Sequence, residues 1–135
     1  MNIDWVIHYV QEEICECCDK HNETPIGFSG FSNIHTHGLG KYNHKEICIP
    51  IAIAPQLAQA LLNECGLRIK YNNVKFVPGY DYTVIKNFPV LFYEFENSNK
   101  LYLILPDHNG KFPNDKNCEF PYNKQLFYAQ IIEED

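Results

Sequence analysis

The stretch "EICIPIAIA", Glu46 to Ala54, constrains this chain more than any other. Ile47, Ile49, Ile51 and Ile53 recur at every second position, and β-branched side chains at period two suit a pleated surface packed on one side. Cys48, Pro50, Ala52 and Ala54 keep the other side small, so a helix can approach it closely. Pro50 has no N–H to give to a ladder, which puts the strand at a sheet edge or at a bulge. A second segment, "LYLIL" at 101–105, is apolar without interruption and reads as a strand covered on both faces. Such a chain must build a sheet and cover it.

The remaining segments supply neighbours and cover. "NIDWVIHYVQEEICECC" repeats apolar residues at three- and four-residue steps (Ile3, Val6, Ile7, Val10, Ile14, Cys17, Cys18), which predicts an amphipathic helix within residues 1–20. "FSGFSNIHTH" predicts a strand with a bend at Gly30. "PQLAQALLNECG" predicts a second helix, with Pro55 in its first turn, Leu57, Leu61 and Leu62 on its apolar face and Gly66 as terminator. A short strand within "KYNNVKFVPGYD", then "YTVI", "PVLFYEFE" and "KLYLIL", continue the sheet, the last two joined by a hairpin at Asn97–Ser98–Asn99. "LFYAQIIEE" predicts a closing strand within residues 126–135. The expected fold is a single α+β domain, a mostly antiparallel sheet with two helices packed on one face.

Composition narrows the function classes. The chain has 135 residues, 17 acidic and 11 basic, for a net charge of −6, and Arg68 is the only arginine. Without a basic stripe it is expected to repel phosphate backbones, so no nucleic-acid partner is expected. No apolar run approaches the roughly 18 residues of a membrane span, and Asp4, Gln11, Glu12 and Glu13 interrupt any leader-like pattern, so a cytoplasmic protein with no membrane association is expected. In that compartment the six cysteines are expected as free thiols, Cys48 and Cys65 serving as small hydrophobes.

Candidate chemistry gathers in "SNIHTHGLGKYNHKE", Ser32 to Glu46. On an extended strand His35 and His37 point the same way, and Gly38 and Gly40 allow a loop that returns His44 to them. Three nitrogens with an open position are what a catalytic zinc needs to acidify water. His35, His37 and His44 are therefore the candidate ligands of a divalent metal such as zinc. Two alternatives stand beside that reading: metal-free acid–base work near neutral pH, and histidines merely packed into the fold. "CECCDKH" carries Cys15, Cys18 and His21 at zinc-like spacing but lacks a second pair, and its cysteines fall on the helix stripe, so core packing is expected there. In "LPDHNGKFPND" the calcium-loop pattern is incomplete. Asn109–Gly110 makes a turn, and Asp107, just after a buried strand, is placed to orient a histidine or contact a ligand. His44, Asp107 and His108 form the candidate site joining the two loops.

"IHTHGLGKYNHKEICIPI", "QLAQALLNECGLRIK", "LYLILPDHNGKFPNDKNCE" and "YNKQ" together resemble a mainly bacterial family of uncharacterised proteins, domain of unknown function 4262, over about residues 28–125. Thr36, Gly38 and Leu39 fit its first turn, and Pro106, Asp107, Gly110, Phe112 and Pro113 its late motif; Lys45 stands where the family has a proline after His44. The resemblance implies no activity. The expected role is a small-molecule- or protein-binding domain with a His-rich site. The rivals are a metal-dependent hydrolase using His35, His37 and His44, and an immunity or anti-defence inhibitor. A homodimer through an edge strand around Pro50 is a further expectation.

Overall fold

The computed structural model describes residues 2–10 and 30–134, apart from the side chains of residues 9 and 10. Strands β1 (Val6–Val10), β2 (Phe31–His37) and β3 (Glu46–Ile51) lead into helix α1 (Pro55–Asn72). Strands β4 (Gly79–Ile85), β5 (Phe88–Tyr93) and β6 (Lys100–Ile104) follow, and helix α2 (Gln125–Glu134) comes last. The six strands form one sheet in the order β1-β2-β3-β6-β5-β4. Only the central β3–β6 pair is parallel; the other four pairings are antiparallel. The α+β class and the mostly antiparallel sheet agree with the sequence.

The two helices, however, take opposite faces. Ile47, Ile49, Ile51, Leu101, Leu103 and Leu105 pack with Ala58, Leu61, Leu62, Cys65 and Ile69 of α1. Cys48, Tyr102 and Ile104 point the other way and pack with Ala129 and Ile132 of α2. The small side of β3 thus accepts a helix as expected, but from the chain's far end. Burying each isoleucine of β3 is worth about 1.5–3 kcal/mol, and a sheet apolar on both sides gains that only if both are covered. One helix per face is the arrangement that does so.

Four further expectations are corrected. Residues 6–10 are strand, not helix: Trp5 is 5% exposed and Ile7 packs on the core, while Val6 is exposed. That alternation satisfies period two, and pairing with β2 overrides the helical spacing. The part of the expected helix beyond residue 10, with the cysteine-rich "CECCDKH", lies outside the described residues. Residues 125–134 are helix, not strand, because Gln125, Tyr128, Ala129 and Ile132 fall on one helical stripe. Helix α1 runs through Gly66 to Asn72 and leaves Leu57 exposed. A Cβ at Gly66 would lie 2.3 Å from Trp5 Cζ2, so the glycine makes room for the indole rather than ending the helix. The short strand expected within residues 70–81 is instead the helix end and an irregular link, with β4 starting at Gly79.

Pro50 sits in the sheet interior, since β3 has neighbours on both sides. Its missing N–H is accommodated because the β2–β3 register shifts between Phe31 and Ile34, and the β6 pairing ends at Cys48. The bulge alternative is the one realised, and no edge is available there for a second copy.

Candidate functional site

The register of β1 and β2 brings together the histidines that matter. His8 pairs with His35, and His35 also pairs with Cys48 of β3, whose side chain points to the α2 side. His35 and His37, two residues apart, therefore share that side, as expected from strand alternation. Their ring centroids lie 5.2 Å apart, and His8 stands 5.4 Å from His35 and 4.4 Å from His37. One nitrogen from each ring can be chosen so that all three lie within 4.8 Å of one another. His8 and His37 are exposed and His35 is half-buried. At the other end of β2, Phe31 packs edge-to-face on Tyr128 of α2.

The protonation of His35 is legible from its partners. Its Nδ1 lies 3.0 Å from Asn33 Oδ1, and the Cys48 thiol donates to the same atom at 3.3 Å. With Asn33 Oδ1 as acceptor, His35 Nδ1 is the nitrogen that donates to it and Nε2 keeps its lone pair. Burial lowers the His35 pKa, and the neighbouring His37, His8 and Lys100 charges lower it further. A neutral imidazole with one nitrogen committed and one free is the state a metal ligand requires.

His44 is a different case. It is 7% exposed; its Nδ1 donates to the Lys45 carbonyl at 2.7 Å, and its Nε2 accepts the Phe76 N–H at 3.0 Å. Burial lowers its pKa, and an Nε2 that accepts an N–H carries no proton of its own. Both nitrogens are spent on main chain, so His44 is not the third member of the cluster; His8 is. Sequence reasoning missed His8 because residues 3–18 also satisfy helical spacing, and only strand pairing brings residue 8 opposite residue 35.

Asp107 and His108 do not join His44 either. Because β3 and β6 are parallel, with Glu46 opposite Lys100, His44 lies at the start of β6 and Asp107 beyond its end. The five residues of β6 separate them by roughly 17 Å of strand. Burial opposes ionisation of Asp107, but the N–H groups of Lys111, Glu119 and Asn109, bonded at 2.8–2.9 Å, outweigh it and hold the carboxyl below its ordinary range. Asp107 organises its own loop. His108 is exposed and pairs with Glu119 at 3.0 Å.

Glu46 plays the same part for the glycine loop. Its carboxylate accepts from Thr36 Oγ1 at 2.7 Å and from the Gly38 and Leu39 N–H groups at 3.1–3.2 Å. Gly38 has φ +123°, and a Cβ there would lie 3.1 Å from Trp5 Cα. The Thr–x–Gly–Leu turn and the Asp107 loop are thus built for shape. No family model, no curated protein and no solved structure matches this chain. Among the described residues Cys48, Cys65 and Cys118 are free and buried, and no helix is long and apolar enough to cross a membrane.

Proposed function

We propose that this protein binds a divalent transition metal, with zinc the first to test, through His8, His35 and His37. The observation that carries the reading is the convergence of three imidazoles from two paired strands, with nitrogens within 4.8 Å of one another. Tetrahedral ligation at about 2.0–2.1 Å per bond needs those nitrogens about 3.3 Å apart, a closure that rotation of the exposed His8 and His37 supplies. Asn33 supports the site by holding the His35 tautomer. Three imidazole nitrogens suit zinc, copper or nickel rather than calcium or magnesium.

Exposure of His8 and His37 favours a second reading on the same residues. A fourth position open to solvent would let a bound water ionise near neutral pH, which is hydrolytic chemistry. His8 then takes the role that sequence assigned to His44. The buried free thiols fit a reducing compartment and support a cytoplasmic location, and the turn motifs remain the basis for likening the chain to domain of unknown function 4262. Elemental analysis of tag-free protein tests the metal reading. It predicts about one equivalent of metal after zinc dialysis in the parent and a trace in His37→Ala; equal content in both would refute it.

A further inference from the structure

The three ligands are unequally distributed: His35 and His37 belong to β2, whereas His8 belongs to β1, a five-residue strand with β2 as its only described neighbour. The start of β1 is held by side chains of α1 and of the loop after β2. Just before the strand, Trp5 is buried against Gly66 and donates from Nε1 to Asn63 Oδ1 at 2.9 Å. Asp4 accepts from Tyr42 Oη at 2.6 Å and pairs with Lys70 and Lys41 at 3.3 and 3.8 Å. Residues 2–5 are therefore pinned to α1 and to the loop after β2. At His8 the strand is past these anchors, and His8 itself is exposed.

We infer that metal at this site is a clamp on β1, closing the edge of the sheet when bound. The inference rests on the metal reading above. A metal shared by His8, His35 and His37 is a second, cross-strand link in addition to the backbone ladder, on the far side of Asp4 and Trp5 from α1. Any opening that lifts His8 off β2 must break one coordination bond, so metal binding and β1 docking are coupled in both directions. Ligand that binds the closed form alone suppresses the open form by the factor one plus its concentration over Kd. At free zinc of about ten times Kd the opening of β1 falls by about tenfold.

Amide hydrogen exchange of the full chain, with zinc ion as the probe and Kd measured by titration, tests the clamp. The expected result is that β1 amides bonded to β2 exchange about tenfold more slowly at ten times Kd. His8→Gln should bind zinc more weakly and show no slowing at equal site occupancy. Zinc bound to the parent with unchanged β1 exchange would overturn the clamp and leave the metal reading standing. Absence of zinc binding to a folded parent would remove both.

Discussion

His44, in the loop before β3, and the His8–His35–His37 cluster, on paired strands β1 and β2, are both histidine sites, yet they do opposite things. Around His44 every ring nitrogen has a main-chain partner and the ring is nearly sealed from water. In the cluster, His35 commits one nitrogen to Asn33 and the two outer rings are exposed. A buried imidazole whose nitrogens are both bonded stabilises the fold and is unavailable for chemistry. An imidazole held by one nitrogen is oriented and still free to bind. Counting ring-nitrogen partners thus separates a structural histidine from a candidate ligand better than position in a motif does.

The comparison breaks most visibly if the two sites respond alike to truncation. His44→Ala should orphan the buried Phe76 N–H and leave a void, costing about 2–3 kcal/mol, with zinc affinity unchanged once the protein is folded. His37→Ala should change stability by less than about 0.5 kcal/mol and abolish zinc binding. Urea melts and calorimetric titrations on the two variants check both halves. Comparable destabilisation, or zinc loss in His44→Ala alone, would defeat the distinction.

Gly66→Ala probes the anchor that holds β1 near the cluster. Its Cβ would sit 2.3 Å from the indole of Trp5, the only tryptophan, so overpacking should cost about 1–3 kcal/mol. Trp5 fluorescence should shift red as the ring is displaced; an unchanged spectrum and midpoint would contradict the packing described. Asp107→Ala, which leaves three backbone N–H groups without their acceptor, should lower the melting temperature by about 5 °C and leave zinc affinity untouched. Any effect on zinc would reconnect the two loops that the strand register separates.

The smallest expected effect is on pH dependence. Burial lowers the pKa of both His35 and His44 in the folded state. The unfolded chain therefore binds more protons than the folded one between the folded pKa values and about 6.5. Stability should be full above about pH 6.5 and decline as pH falls through the folded values. Melts at stepped pH should show this fall in the parent, and His35→Asn should reduce its slope without removing it, since His44 contributes in the same direction. A stability that rises on acidification across that range would refute the assignment.

Much of the sheet could be read from the chain. The alternation in "EICIPIAIA" and the unbroken "LYLIL" fixed the two central strands, and the shared side of His35 and His37 followed from period two alone. Where reading failed, short segments satisfied two periodicities at once. "WVIHYV" fits a helix stripe or an edge strand, and "LFYAQII" a strand or a helix; which wins depends on what the sheet still needs covered. Gly66 looked like a stop because its real reason, the Trp5 indole, comes from 61 positions earlier. His44 looked like a ligand because spacing carries no information on whether Lys45 and Phe76 will occupy its nitrogens. His8 could not be placed without the pairing of β1 with β2.

The most direct test of the account is a long-range proton–nitrogen correlation spectrum of the imidazoles, recorded on uniformly nitrogen-labelled protein during zinc titration. At one equivalent the ring nitrogens of His8, His35 and His37 should move together, with Nδ1 of His35 retaining its proton, while those of His44 stay fixed. Movement of His44 with the pair at 35 and 37, or no movement among the three, would contradict it.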